Sequence, residues 1–553
     1  MSSAAAESTL QPPAATADGL EHNRLVDRLL ERLGDHLNPI LVKETRQALK
    51  SKQFVITFGL LLILAWSWSL LGVAMAGTDV YYSAQGPGMF MGYFIVLAFP
   101  LLVIVPFGAF RSLTGEREDN TYELMSITGL NPRQVVSGKL GISALQMAVY
   151  LSAISPCLAF TYMLRGIDFV TIMMILVYLV LGSLGLSLLG LLAGTLVSQK
   201  HWQVIMSVGV IIGLLFAFWV GCRLCGGMVI EQQVDFFDTE FWVVNAVLLT
   251  AYLSYFALLF FASAAQLTFS SDNRTTRLRI VMVVQHFLLT AWFAWGIFAH
   301  GLESELLLAY ITMAGLHWYA MGACMSSEAT ELSPRIKRNL PQSFLGRVFL
   351  TWFNPGPGTG YILSIAGLIS AMVMGLLILP LLDMSNGLYL SPARSSNYGM
   401  LCAYSFIGLF YLMIFLGLGN ILLRLARRVS QVGVVLAVLI QILLLLVGCG
   451  VPVVIQLMSP TLREMDYSLL QVTNPFWTLA HMADRWSAPL ETVPLLLILG
   501  TTALVLLIVN LVGVAREVRH VRIASPRRVS EEDAVMAAEK VPAEPEKTSP
   551  WDD

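Results

Sequence analysis

The residues best suited to chemistry lie in one segment, 111–141, where charges interrupt an otherwise apolar chain; it reads RSLTGEREDNTYELMSITGLNPRQVVSGKLG. Its first part carries charged side chains that the hydrocarbon core of a membrane excludes: Arg111, Glu116, Arg117, Glu118 and Asp119. A short helix predicted from Thr121 to Ile127 then presents Tyr122, Leu124 and Met125. Charges beside exposed apolar side chains favour a surface that binds another protein. An ordinary solvated loop is the alternative, and the residue types alone do not decide between a protein-binding surface and such a loop.

The end of the same segment predicts where the next helix begins. Asn131 is a good N-cap residue, and Pro132 suits the first helical turn. We therefore expect a helix to start at Pro132 and to continue through Val135 and Val136 into a membrane span.

No nucleotide-binding motif accompanies this segment. The phosphate-binding pattern G-x-x-x-x-G-K-[ST] is absent, since 138-GKLG lacks both the earlier glycine and the following Ser or Thr. We therefore expect that the chain is not itself an enzyme and holds no cofactor, and that any energy it uses comes from a partner or from an ion gradient.

Two cysteines at the end of the apolar run 203–222 have a spacing that allows chemistry. Cys222 and Cys225 could form a strained disulfide or supply two ligands to a soft metal ion. A metal site needs two further ligands, and the neighbouring sequence offers no suitable pair. Two small buried side chains flanking Arg223 are the third interpretation, and all three remain open.

Histidines and an outer loop complete the candidate groups. His286, His300 and His317 fall at different phases of two predicted spans, so the sequence does not favour a shared metal site or proton relay. The loop 458–491 contains the residues that an outward-facing transferase would use, but without a recognisable spacing: Glu464, Asp466, His481, Asp484 and Arg485.

The composition places all of these groups in a membrane protein. Of 553 residues, 56% are hydrophobic and only 13% are charged, about half the charge of a soluble protein. The net charge of -2 excludes a basic nucleic-acid-binding character. Crossing a bilayer takes about 20 apolar residues. Twelve such runs predict an all-α polytopic fold: 54–76, 88–110, 142–164, 169–198, 203–222, 242–267, 279–300, 305–325, 359–383, 398–423, 430–457 and 492–514.

The distribution of Lys and Arg predicts the orientation. With twelve spans and a cytoplasmic N-terminus, the inner segments hold 29 of the 34 basic residues. Only Arg165, Arg223, Arg394, Arg463 and Arg485 fall in outer loops. Omitting any one span would destroy this asymmetry. We therefore expect both termini to be cytoplasmic, with the chain in the plasma membrane, the inner membrane if the source is bacterial.

The segments outside the spans also have distinct patterns. Residues 1–20 lack the order of a cleavable signal and predict a disordered leader, and the tail 515–553 is predicted to be disordered. Residues 21–53 predict amphipathic and connecting helices, which would lie in the membrane interface or against the protein's own loops. The spans divide into 54–267 and 279–514, six in each half, and whether these halves arose by duplication stays open.

The charged segment resembles the inner loop of type-2 ABC exporter permeases. In that family a stretch of Glu-x-Glu, Gly-Thr, leucines, Thr-Pro-Leu-Ser and Gly-Lys joins the second and third spans. The matching residues here are Glu116, Glu118, Thr121, Glu123, Leu124, Thr128, Leu130, Gly138 and Lys139. Asn120 and Gly129 depart from it. The segment 38–54 is similar to the family's connecting helix, and the resemblance covers residues 38–267, whereas the second half lacks such a loop.

This resemblance implies a permease subunit driven by a separate cytoplasmic ATPase that binds ATP and magnesium. The implied ATPase-coupling residues are Glu116, Arg117, Glu118, Thr121, Tyr122, Glu123, Leu124, Met125, Gly138 and Lys139. Further expected partners are membrane lipids and a second copy of the chain or a related permease. The alternatives are a gradient-driven transporter or lipid flippase and, with less support, a membrane-embedded transferase. No charged residue lies at the centre of a predicted span, which argues against ion coupling. The sequence does not identify the cargo.

Overall fold

A computed structural model describes residues 38–78, 82–118, 130–196, 200–231, 236–269, 271–338, 340–341, 343–378, 380–381, 392–429, 432–459, 467–484 and 492–519, with positions 528, 531–532 and 534–536. All regular structure in these residues is helical. Twelve of the helices described are long and apolar enough to cross a membrane. The chain is an all-α polytopic membrane protein, and the predicted fold class is confirmed.

The helices are numbered here in chain order. The first eight are α1 (Pro39–Lys50), α2 (Lys52–Ala76), α3 (Gly86–Phe99), α4 (Val105–Glu118), α5 (Pro132–Met163), α6 (Phe169–Leu196), α7 (Lys200–Val229) and α8 (Thr239–Leu267). The next four are α9 (Thr276–His300), α10 (Ser304–Met325), α11 (Pro334–Arg338) and α12 (Phe344–Leu350). The last five are α13 (Pro357–Val373), α14 (Pro392–Ala426), α15 (Val434–Met458), α16 (Pro475–Asp484) and α17 (Thr492–Val518).

Each of the twelve predicted spans corresponds to one long apolar helix, with α3 and α4 together forming the second. The seventh and eighth spans form α9 and α10 although histidines interrupt their apolar sequence. The contacts separate the chain into two compact units within α8. Unit 1 comprises Met1–Phe241 and Ala262–Leu267, and unit 2 comprises Trp242–Phe261 and Thr268–Asp553.

In unit 1, a π-helical turn from Pro100 to Ile104 joins α3 to α4. The sequence predicts a kink at Pro100 and Pro106, because proline lacks the N–H that an α-helix needs. The wider turn absorbs that defect, as π-bulges commonly do. Ser183 of α6 donates a hydrogen bond to the carbonyl oxygen of Leu101 at 2.5 Å, so a buried carbonyl in this turn keeps a partner.

Two glycines allow α4 and α6 to pack with their backbones close together. A Cβ atom placed on Gly190 would lie 2.7 Å from the carbonyl oxygen of Pro106, and one on Gly194 would lie 3.0 Å from that of Phe110. The small-xxx-small pattern at these positions predicts such an approach. These contacts fix the direction of α4, which carries Glu116 at its end.

Replacing Gly190 by Leu is therefore expected to destabilise unit 1 by about 1–3 kcal/mol, because backbone atoms of α4 cannot move aside as side chains can. The measurement is the apparent melting temperature of the purified protein in detergent. Gly209→Leu is the matched control, since a Cβ atom there meets nothing within 4 Å. Equal melting temperatures for the two variants would contradict the close packing.

The core of unit 2 includes large apolar side chains on α10, α13 and α14. Tyr310, Trp318, Tyr361 and Ile407 are each no more than 2% exposed. Trp318 packs directly over Gly367, where any Cβ atom would overlap the indole ring. In α17, Asn510 donates to the carbonyl oxygen of Gly417 at 3.2 Å, which ties the last span to α14.

Candidate functional site

Helix α1 is attached to the beginning of α5. Asn38 caps α1, with its side-chain oxygen accepting from the Ile40 N–H at 3.1 Å. The side-chain nitrogen of Asn38 donates to the Gln134 carbonyl oxygen at 2.5 Å and to Ser137 Oγ at 3.2 Å. One residue therefore starts α1 and also fixes it to the first turn of α5.

Glycines on α5 provide the surface that receives α1. A Cβ atom on Gly138 would lie 3.0 Å from Ile40, and one on Gly141 would lie 2.9 Å from Leu41. Ile40 is 6% exposed, so its side chain is almost fully removed from solvent by this contact. A larger residue at Gly138 would push α1 away from α5, because it would meet the Cβ atom of Ile40, which moves only with the backbone of α1.

A buried lysine lies at the centre of this junction. Lys139 Nζ donates to Glu44 Oε1 on α1 and to Glu116 Oε1 on α4, each at 2.8 Å. The Ser112 carbonyl oxygen is a longer third acceptor at 3.4 Å. Lys139 is only 3% exposed, whereas the carboxylate side chains are 15% and 20% exposed. We call Glu44, Glu116 and Lys139 the Lys139 cluster.

The Lys139 cluster joins three helices near both ends of the charged segment. Glu116 precedes residues 119–129, and Lys139 follows them, while Glu44 connects both to α1. The helix after the segment begins at Pro132 with Asn131 as its N-cap, as predicted, and the N–H of Asn131 donates to Gln134 Oε1 at 3.1 Å. Because both flanks are fixed to one ion cluster, a force applied between them reaches α1, α4 and α5 together.

The structure places the predicted coupling residues in two environments. Gly138 and Lys139 lie inside unit 1 against α1 and Glu116 is partly buried, so these three residues position the segment. The backbones of Arg117 and Glu118 end α4, but their side chains lie outside the described residues. Also outside the described residues are Thr121, Tyr122, Glu123, Leu124 and Met125.

Sequence reasoning did not identify Glu44 as part of this site. The residue lies in the segment 38–54 that resembles a connecting helix, but nothing in its local pattern distinguishes it from the neighbouring charges on α1. The sequence contained one signal that such a carboxylate exists. A lysine follows Gly138 at the start of a span, and a buried ammonium group requires a carboxylate partner.

Unit 2 contains a second buried ion cluster that the sequence did not reveal. Arg279 of α9 is fully buried, and its Nη2 lies 2.5 Å from Glu328 Oε2 and 2.9 Å from the Gly356 carbonyl oxygen. Its Nη1 donates to Thr359 Oγ1 at 3.1 Å and to the Trp352 carbonyl oxygen. Glu328 also accepts the N–H of Gly356 at 2.7 Å. Burial raises the pKa of the Glu328 carboxyl, an effect that Arg279 opposes.

Glu517 at the end of α17 completes this second cluster. Its carboxylate accepts the N–H groups of Gly358 and Thr359 at 3.0 Å, at the positive end of the α13 dipole. We call Arg279, Glu328 and Glu517, with the start of α13, the Arg279 cluster. Its members are far apart in sequence and follow no motif, which is why the sequence gave no indication of it.

Two of the histidines that the sequence singled out pack against the same tryptophan. His286 and His317 both pack against Trp318, at ring distances of 5.7 and 5.3 Å, a juxtaposition that the sequence did not predict. Trp318 donates to His286 Nδ1 at 3.3 Å, and the Met282 carbonyl oxygen is 3.3 Å from His317 Nε2. Among the residues that the structure describes, no group of His, Cys, Asp or Glu is arranged to hold a metal ion.

The cysteines and the outer loop can be placed only in part. Cys222 and Cys225 are free thiols on α7, and Cys225 is buried in the core of unit 1. His481 stacks on Tyr467 with ring centroids 4.1 Å apart. The other residues of the loop 458–491 that the sequence singled out lie outside the described residues or have side chains that do: Glu464, Asp466, Asp484 and Arg485.

The fold and the twelve apolar helices define a transporter-like polytopic membrane protein. The chain matches no protein-family model, no curated protein and no solved structure.

Proposed function

We propose that the chain is the transmembrane permease subunit of a type-2 ABC exporter, driven by an ATPase that binds in trans. The observation that carries this proposal is the Lys139 cluster. It fixes the connecting helix and both flanks of the charged segment, which also carries the Glu-x-Glu to Gly-Lys pattern that resembles the coupling loop of that family.

The geometry explains how such a loop would transmit movement. In the sequence, residues 119–129 begin directly after α4, three residues after Glu116, and end two residues before Asn131. An ATPase that displaced this loop would pull on α4 and α5, and Lys139 would carry α1 with them through Glu44. Only Ser51, an extended residue that ends α1 and caps α2, separates α1 from the first span, so three spans would respond together.

In this proposal the membrane is the plasma membrane, and the loop faces the cytoplasm because the Lys and Arg distribution predicts that orientation. ATP and magnesium would bind to the partner and not to this chain. The predominantly apolar spans favour a lipid or amphipathic cargo that moves outward or leaves the inner leaflet. A second copy of the chain or a related permease would complete the transport unit if one chain does not suffice.

The experiment must distinguish a variant that no longer binds the ATPase from a variant that no longer folds. Reversing Glu116 would break the Lys139 cluster, so the informative variant is Glu118→Lys with Glu123→Lys, which leaves the cluster intact. We expect this double variant to fold normally and to lose the ATPase when tagged protein is purified from its native membrane. Measurement is by quantitative mass spectrometry of the copurifying proteins.

Glu303→Lys with Glu305→Lys is the matched control, because it reverses two exposed acidic residues that the topology predicts on the other side of the membrane. It should retain the ATPase. Retention of the ATPase by the Glu118 and Glu123 variant would overturn the proposed docking site. Transport by the folded chain without any ATPase would replace the proposal with a gradient-driven transporter or flippase.

A further inference from the structure

A cavity of about 300 Å³ lies between α4 and α7 in unit 1. Arg111 and Thr114 line it from α4, and Lys200, Gln203 and Ser207 line it from α7. The spacing along each helix is three or four residues, so each helix presents one face to the cavity. Its volume is at the lower end of the range for ligand pockets, about 300–1,000 Å³.

The charges around the cavity favour an anion. Arg111 and Lys200 are both exposed, and no carboxylate is among the described residues that line it. Two cations at one opening repel each other unless an anion lies between them. Arg and Lys both bind phosphate, Arg through its planar fork and Lys as a point charge.

The buried side-chain amide of Gln203 sets a requirement for the ligand beyond its negative charge. Gln203 is only 7% exposed, and its Oε1 atom has no hydrogen-bond partner among the residues that the structure describes. Such a buried acceptor costs free energy until a donor reaches it. A ligand that fills the cavity should therefore carry a hydrogen-bond donor beside its phosphate, and a neutral hydroxyl supplies one without adding a positive charge next to Arg111 and Lys200.

The position of the cavity favours a lipid over a free phosphate compound. Arg111 and Lys200 lie at the ends of their spans on the predicted cytoplasmic side. One helical turn further along α7, Val204 and Ile205 are 63% and 59% exposed, and Val204 also lines the cavity. A lipid could place its headgroup between the cations and its acyl chains along this apolar face, which faces the bilayer.

We propose that this cavity binds the headgroup of an anionic glycerophospholipid that carries a hydroxyl, of the phosphatidylglycerol type. Arg111 and Lys200 hold the phosphate, and Gln203 accepts a hydrogen bond from the headgroup hydroxyl. A choline or ethanolamine headgroup fits less well, because its own positive charge meets the two cations. The site does not depend on the exporter assignment and persists if no ATPase associates.

The experiment is native mass spectrometry of the full-length protein, equilibrated with equal amounts of phosphatidylglycerol and phosphatidylcholine. We expect the unaltered protein to retain phosphatidylglycerol selectively. The variant Arg111→Gln with Lys200→Gln should lose that selectivity by about tenfold or more, since it removes two charge-assisted contacts. Gln203→Leu, which keeps both cations, should lower the affinity for phosphatidylglycerol by roughly threefold or more.

The matched control is Lys43→Gln with Lys50→Gln, which removes two exposed positive charges from α1 in the same unit. It should keep the selectivity. Equal loss in the control, or no selectivity in the unaltered protein, would overturn the site. Adding soluble glycerol phosphate or inorganic phosphate distinguishes the source of the headgroup, since displacement of the lipid by micromolar amounts of either would overturn the lipid assignment.

Discussion

Replacing Arg279 by Met is expected to lower the stability of unit 2 by about 3–5 kcal/mol, the usual cost of removing one partner from a buried ion pair. The guanidinium is fully buried and donates to Glu328, Thr359 and two backbone carbonyl groups. Methionine fills a similar volume but leaves all of these acceptors without the donor. The apparent melting temperature in detergent should fall by roughly 10 °C.

Arg277→Met is the matched control, because Arg277 lies on the same helix and is exposed. It should melt within a few degrees of the unaltered protein, as most surface substitutions do. Adding Glu328→Gln to Arg279→Met should recover part of the lost stability, because a neutral amide then replaces the buried carboxylate that has lost its cation. Equal melting temperatures for the Arg279 and Arg277 variants would show that the Arg279 cluster is not a determinant of stability.

Replacing Lys139 by Met should have a comparable effect in unit 1, of about 3–5 kcal/mol. Two carboxylates would then face each other at a junction with no cation, and their repulsion would add to the cost of their burial. We expect α1 to separate from α5. Hydrogen exchange should report faster amide exchange in Pro39–Lys50, and a thermal scan should report a lower melting temperature.

A rescue variant distinguishes charge from packing at this junction. Combining Lys139→Met with Glu44→Gln and Glu116→Gln removes all three charges and should restore most of the protection of α1. Lys50→Met is the control, since Lys50 is exposed at the end of the same helix. If the triple variant is as unprotected as Lys139→Met alone, the aliphatic packing of Lys139 is responsible and the ion cluster is not.

The helices were predictable from the sequence because a bilayer imposes a simple length rule. Runs of about 20 apolar residues can satisfy their backbone groups in lipid only as helices. The rule therefore located spans such as α9 and α10 despite their histidines. The division between the two units could not be found in this way, because its boundaries, after Phe241 and after Phe261, both fall within the single helix α8.

The candidate site was only partly predictable. The Gly138-Lys139 pair and the Asn131-Pro132 helix start were visible because each depends on neighbouring residues. Glu44 was not, because its partner Lys139 is 95 residues away. The Arg279 cluster depends on Glu328 and Glu517, which come from distant parts of the chain, and the meeting of His286 with His317 depends on how α9 packs on α10. Such contacts follow from tertiary packing, which local patterns do not encode.

The most direct test of the proposed function is the purification of the unaltered, tagged protein from its native membrane in a mild detergent. We expect a P-loop ATPase in near-stoichiometric amount, with ATP hydrolysis by the complex and none by this chain alone. Recovery of the folded chain without any ATPase, and with transport that follows an ion gradient, would contradict the proposed function and assign the protein to the secondary transporters.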